Sequence, residues 1–317
     1  MEAVVMEGFS SKTESGNSMK LYKVTITPTS SFMTSLKGDT LFGQFCWAVF
    51  YACEENKLKG LLETYKEGKP FVIVSDAFPV GYLPKPKMPM RLLKELKSEK
   101  KKNRKKLWLT KEELLEGEYE KARSNRAINN RDQFSVTIHN ALNYKTFQTE
   151  QGFDPYGLKG MSLSTKEIYF LLDECQLTEQ EFRTSLTLFS TMGYGKKASI
   201  GKGRFEIEKI EEESFGGQSN AFMTLSPFSP QGIEAKEIFY EPFTRFGKFG
   251  ASRATKNAFK KPLLLADVAS VVIFEEEQAC AYVGKTIDRL STVLEYDDTV
   301  HQGYSIVVPI GVEDEKL

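Results

Sequence analysis

Between Thr178 and Ile210 the sequence passes from a helical period, through a glycine loop, to a strand period, and this order restricts the chain more than any other stretch. Thr178 with Glu181 three residues on is a capping box, and Phe182, Leu186, Phe189 and Met192 then recur along one helical face. The loop that follows, Gly193 to Arg204, holds four glycines (Gly193, Gly195, Gly201, Gly203) and four cations (Lys196, Lys197, Lys202, Arg204). Phe205 to Ile210 then alternates as a strand does. Glycine lets backbone N–H groups approach a ligand, and interleaved Lys and Arg put charge where an anion would lie. A polyanion is the expected guest. Gly193 to Ala198 satisfies G-x-G-x-x-G/A literally, but a dinucleotide site needs the strand before the loop and the helix after it. No G-x-x-x-x-G-K-[ST] occurs, so a P-loop is excluded as well.

Reading outward from this stretch gives the architecture. Leu21 to Pro28 reads as a strand, and Asp39-Thr40 as an N-cap for a helix with apolar residues from Leu41 to Cys53. Leu58 to Glu67 reads as a second helix, Phe71 to Val74 as a buried strand, and Glu167 to Leu172 as another. The sum is a βαββαβ, ferredoxin-like unit over residues 21–212, within an α+β fold. Two insertions interrupt it. Arg91 to Lys106 carries nine cations against two acids, either a phosphate-facing arm or a solvated, mobile loop. Residues 123–160 read as a long exposed hairpin around Phe134 to His139. Glu211 to Asn220 reads as a linker, and residues 213–317 as a smaller, β-rich second domain. Residues 1–20 read as a disordered leader.

The chain has 317 residues, with 43 Lys plus Arg against 43 Asp plus Glu, so any polyanion site must come from segregated charge. A second basic glycine loop, Thr244 to Lys261, contains Arg245, Lys248 and Arg253 and no acid. Cys46, Cys53, Cys175 and Cys280 form no C-x-x-C pair, which argues against zinc or a disulfide framework and for a reducing cytoplasm. No apolar run is long enough to span a membrane. No metal, cofactor or catalytic set is expected. His139 beside Asn140 is the one candidate base for metal-independent RNA cleavage, and a surface histidine of the hairpin is the plainer reading. A single-stranded nucleic acid remains: the loop backbone and lysines clamp phosphates, and Tyr194 either stacks on a base or packs back on the sheet.

These residues resemble the RAMP superfamily of CRISPR proteins, whose hallmark is a glycine-rich loop after the second helix. Gly38 to Gly43 with Cys46-Trp47, Ser75 to Pro79, Tyr82 to Pro86, Ser135 to Asn140 and Gln302-Gly303-Tyr304 are similar to the fourth subunit of the type III-A Csm effector complex. The resemblance spans about residues 21–310. It implies two ferredoxin-like (RRM-like) RAMP domains, the second smaller and β-rich, and a subunit without nuclease activity. It further implies a subunit that holds the repeat-derived 5′ handle of the crRNA and anchors the large polymerase-like subunit, beside the backbone RAMP subunits, with target RNA contacted indirectly. On this resemblance Gly193 to Arg204 is the handle loop, and the hairpin with His139 and Asn140 is a thumb against the guide. Tyr144 departs from the pattern, standing where relatives commonly have arginine. A RAMP-type endoribonuclease with His139 as general base is the alternative.

Overall fold

The computed structural model describes residues 19–95, 97–140, 142, 144–147, 155–248, 259–291 and 299–312. The expected leader lies outside them up to residue 18, and Lys20 already belongs to the first strand. The first unit opens with β1 (Lys20–Pro28), α1 (Gly38–Cys53), α2 (Glu55–Lys66) and β2 (Val72–Pro79). An insertion follows, with β3 (Leu83–Pro84), α3 (Lys100–Asn103), β4 (Trp108–Leu109) and α4 (Lys111–Leu115), and then the hairpin β5 (Gln133–His139) and β6 (Tyr156–Ser162). β7 (Lys166–Leu172), α5 (Glu179–Met192) and β8 (Phe205–Glu213) complete it. The sheet order is β2-β7-β1-β8 with every neighbour antiparallel, which places the first and third strands of the βαββαβ unit at the centre.

The capping box of α5 forms as the spacing predicts, with both Thr178 and Glu181 making their reciprocal bonds. The α5 face of Phe182, Leu186 and Phe189 is buried, and Phe182 meets Tyr22 of β1 with ring centroids 5.3 Å apart. Helix α1 begins differently from expectation. Its N-cap is Lys37, which supplies no side-chain capping bond, and Asp39 lies inside the first turn with its carboxylate committed to Arg245.

The second unit contains β9 (Ser219–Thr224), β10 (Glu237–Phe239), β11 (Pro242–Arg245), β12 (Leu263–Ala266), β13 (Val271–Gln278), β14 (Tyr282–Gly284) and β15 (Tyr304–Pro309). Five of these form a sheet in the order β10-β13-β9-β15-β14, and β11 pairs with β12 as a separate ribbon. β11 occupies the start of the segment read as a second glycine loop. The linker is shorter than expected, because β8 runs to Glu213 and β9 begins at Ser219. Among the described residues no helix is long and apolar enough to cross a membrane.

Strand periodicity divides the second sheet between two cores. Ala221 and Met223 of β9, Val271 and Ile273 of β13, and Ile306 and Val308 of β15 join the large core of the first unit. The alternate residues Phe222, Val272 and Val307 form a separate small core with Phe228, Ala266 and Val283. One apolar core therefore runs from the first sheet into the inner face of the second, where two units with private cores would be the simpler expectation.

The two units are also joined through polar groups at β2. β2 is an edge strand, yet it is buried along nearly its whole length, so its outward N–H and C=O groups need partners. The Gln302 carboxamide supplies them: Val74 N–H donates to its Oε1 at 2.8 Å, and its Nε2 donates to Val74 O at 2.7 Å. A register irregularity follows in β2 between Val74 and Ala77. There Asp76 N–H donates to Leu225 O (2.8 Å) and the Asp76 carboxylate accepts from Gly38 N–H (2.8 Å). Gly38 is required by the close approach, since a Cβ there would lie 2.3 Å from Val74 O. Lys37 bridges Asp76 (3.0 Å) and Asp267 (2.8 Å), and Lys87 continues the chain to Asp267 (2.7 Å) and Glu241 (2.9 Å).

Two measurements check this joint. Gln302→Leu leaves a buried N–H and a buried C=O unpaired at Val74, and is expected to lower the urea-unfolding free energy by about 3 kcal/mol. Burial pushes the Asp76 carboxyl up to about 6, against the pull of Lys37 and of the Gly38 N–H. A raised folded pKa contributes stability that is complete below the unfolded value near ~4 and lost as pH rises through the folded one. Burial also lowers the pKa of His301, with Asp39 opposing, and that group acts with the opposite sign. The readout is therefore the difference between wild type and Asp76→Asn, in which wild type loses about 3 kcal/mol relative to the variant between pH 4 and pH 7.

Candidate nucleic-acid interface

The sheet face used by many RNA binders is closed here. β7, a central strand, is buried at every position, and Tyr169 packs against Phe215 with centroids 5.0 Å apart. Binding to the first unit therefore falls to its loops and its hairpin.

The loop Gly193 to Arg204 folds back on itself and onto the Ser/Thr-rich segment 29–37. Tyr194 N–H donates to Gly203 O (2.9 Å), and Gly203 N–H to Ser31 O (3.0 Å). Lys196 N–H donates to Thr34 Oγ1 (3.0 Å), and Arg204 N–H to Ser30 Oγ (2.8 Å). Gly203 has φ of +72°, and a Cβ there would sit 2.2 Å from Tyr194 O, so no other residue fits. Backbone bonds thus hold the loop in one shape. Its charges face outward: Lys196, Lys197 and Arg204 are exposed and Lys202 half-buried, and none has an ion-pair partner among the described residues. Ile200 is exposed beside them.

Tyr194 does not share that exposure. It is fully buried, its hydroxyl donates to Ser35 O at 2.7 Å, and its ring packs near Phe32 and Phe189. The expected stacking on a base is therefore corrected to a core role: the ring anchors the loop and has no free face. The segment Ser30 to Thr34, which forms the other half of the cradle, reads in the sequence only as a short connector. Its run of hydroxyl residues is the one signal that marks it.

The second basic segment also divides. Arg245, expected to hold phosphate, forks onto Asp39 (Nε to Oδ2 2.6 Å, Nη2 to Oδ1 2.5 Å) and lies 4.8 Å from the Phe243 ring centroid. Asp39 is fully buried, with His301 Nε2 at 3.3 Å from Oδ2. Burial disfavours the Asp39 charge, but His301 and Arg245 outweigh it and hold the carboxyl well below the ordinary range. Arg245 is a half-buried structural cation committed to Asp39 rather than a free phosphate ligand. Lys248 is exposed, with Nζ 4.5 Å from the centroid of Phe259, and Arg253 lies outside the described residues.

The hairpin β5–β6, paired from Gln133↔Ser162 to His139↔Tyr156, is rooted at Met161, which bonds Phe32, and its β5 strand is exposed. His139 stacks on Tyr156 with centroids 5.7 Å apart, and Asn140 beyond it is exposed. Phe134, Val136 and Ile138 share one face, exposed by 81%, 62% and 73%. Such a row on a two-stranded ribbon is an unpartnered apolar face. The described residues contain no group of three His, Cys, Asp or Glu able to hold a metal.

Arg245→Ala leaves the buried Asp39 charge without its main partner and is expected to cost about 3–5 kcal/mol in urea unfolding. A surface phosphate contact would instead lose RNA affinity with stability unchanged.

No protein-family model matches the chain, and no curated protein matches it in sequence. Solved structures do match in fold. A structure described as the Csm1-Csm4 cassette in complex with AMPPNP aligns over 93% of this chain and 99% of its own, with TM-score 0.57 and 16% identity. The same cassette in complex with cA4 gives TM-score 0.59 and 14% identity over 93% and 99%. The Csm3-Csm4 subcomplex of the type III-A CRISPR-Cas interference complex gives TM-score 0.55 and 15% identity over 92% and 99%. At these identities the similarity speaks for the fold alone: the chain has an α+β, antiparallel-sheet fold like that of the chains it aligns with in these structures.

Proposed function

We propose that this protein is a non-catalytic subunit of a type III-A CRISPR interference complex that binds the repeat-derived 5′ handle of crRNA and anchors the large polymerase-like subunit. The observation that carries the reading is the cation set of Lys196, Lys197, Lys202 and Arg204, without an ion-pair partner among the described residues and held on a loop whose shape is fixed by its backbone bonds to itself and to Ser30–Thr34. Pre-organised positive charge without a carboxylate partner suits a phosphate chain, because little ordering entropy remains to be lost on binding. The fold shared with chains crystallised beside Csm1 and Csm3 supports protein partners of those kinds. On this reading the second, β-rich unit is a reduced RAMP domain. The hairpin is a thumb whose apolar row, Phe134, Val136 and Ile138, rests against bases or a neighbouring subunit.

Replacing Lys196, Lys197 and Lys202 together by alanine is expected to weaken crRNA binding and to flatten log Kd against log salt by roughly 2, at about 0.7 per phosphate contact. An unchanged affinity and slope would remove the loop from the RNA site. Incubation with repeat RNA in the absence of metal addresses catalysis. Intact RNA is expected, whereas cleavage that disappears in His139→Ala would make the chain an endoribonuclease.

A further inference from the structure

The basic insertion is neither a free arm nor a loose loop, because it packs on the Pro84–Pro89 segment, which is itself bonded to the second unit. Leu93 and Asn103 are buried, Lys85 pairs with Glu95 at 2.8 Å, and Lys87 N–H donates to Ala269 O at 2.7 Å. Between the Pro84–Pro89 segment and β10 this packing leaves a groove of about 660 Å³. Its floor is apolar, built from Pro86, Met88, Leu93, Ile238 and Val268, with the half-exposed Tyr240 also lining it. One side is β10, which ends the five-stranded sheet, so its outer edge carries no further strand among the described residues.

The charge around this groove does not balance. Lys85 and Lys87 are matched by Glu95, Asp267 and Glu241. Arg104 has no ion-pair partner among the described residues, and Lys106 donates to the neutral Glu120 carbonyl at 2.8 Å. Lys100, Lys101 and Lys105 stand exposed on and beside the same short helix. An apolar floor, a free strand edge and uncompensated positive charge therefore meet in one place.

We infer that this groove docks an extended acidic segment of a partner protein. The segment adds to the edge of β10, sets alternate apolar side chains on the Pro/Met floor and turns carboxylates toward Arg104 and Lys106. A protein strand fits better than an RNA strand. The open edge of β10 offers backbone donors and acceptors that a peptide strand matches and a nucleotide does not, and Trp108, Phe239 and Tyr240, which also line the groove, receive apolar peptide side chains as readily as bases. The inference does not depend on RNA binding at Gly193 to Arg204, and loss of that reading leaves it standing.

The test is fluorescence anisotropy on the full chain with three labelled probes: an octapeptide alternating Glu and Leu, its Lys/Leu counterpart, and octa-uridine RNA. The acidic peptide is expected to bind, the basic one not. Arg104→Glu with Lys106→Glu should weaken the acidic peptide by about tenfold or more, as should N-methylation of alternate peptide bonds, while leaving octa-uridine binding unchanged. Equal binding of the two peptides, or an acidic-peptide affinity indifferent to the double substitution, overturns the proposal. A parallel loss of octa-uridine overturns it in favour of an RNA site. Should the double variant fail to keep the wild-type unfolding midpoint, Arg104→Gln supplies the same comparison without charge reversal.

Discussion

The pairing of the Gln302 carboxamide with both backbone groups of Val74 is the contact on which the relation between the two units rests. An edge strand presents a ladder of unpaired donors and acceptors, and burying it without partners is prohibitive. Here one side chain does what a fifth strand would do. With β2 satisfied in that way, the second sheet can pack on the first through Met223, Ile273 and Ile306 and share a single core with it. The irregularity after Val74 then turns Asp76 toward Gly38 and Lys37, which places the start of α1 against the second unit. Asp39, one residue on, receives Arg245 from β11. Each of these contacts requires the one before it to be in register.

Several of the residues that carry the family resemblance coincide with this joint, although Ser135 to Asn140 lie on the hairpin. Gly38 and Asp39, Ser75 and Asp76, and Gln302 and Gly303 all lie at the junction of the two units or within hydrogen-bond reach of it. The Ser75 hydroxyl accepts from Tyr169 N–H at 2.8 Å inside the first sheet, and Gly303 lies where a Cβ would be 2.2 Å from Lys285 O. The motifs therefore speak for architecture more than for ligand contact. That explains how they and the structural similarity agree about the fold, while an RNA site has to be argued from other residues.

Local signals were legible in the sequence and contacts between distant segments were not. The capping box at Thr178, the alternation in β1 and β8 and the hairpin strand at Phe134 depend on neighbours a few residues apart, and all formed as read. Asp39 looked like a cap because Asp before a helical run usually is one, and only the arrival of Arg245, far along the chain, gives its carboxylate a different task. Tyr194 was ambiguous for the same reason. Nothing local distinguishes an exposed loop tyrosine from one whose ring is covered by Phe32 and Phe189. The glycines of that loop were legible as a sharp bend, and the bend is there, but the Ser30 to Thr34 half of the cradle is assembled by the fold.

Zero net charge conceals a separation of charge that bears on where an RNA can run. Many acids are taken up internally: Asp39 by Arg245, Asp76 and Asp267 by Lys37, Glu113 by Arg123, Asp132 by Lys166. The outer edge of the first sheet is β8, whose Glu206, Glu208 and Glu212 are exposed, and this acidic edge repels a phosphate chain as effectively as it blocks strand addition. At the head of that same strand stand the cations of the glycine loop, which have no ion-pair partner among the described residues. The fixed charges thus disfavour a polyanion along β8 and leave the loop at its start as the part of the first unit that would suit one. The basic insertion lies outside this gradient, packed on the segment that Lys87 ties to the other unit. Two positive regions separated by the fold have no need of a common guest, and the difference between a rigid backbone cradle and an apolar groove beside a strand edge is a physical reason for them to take different ones.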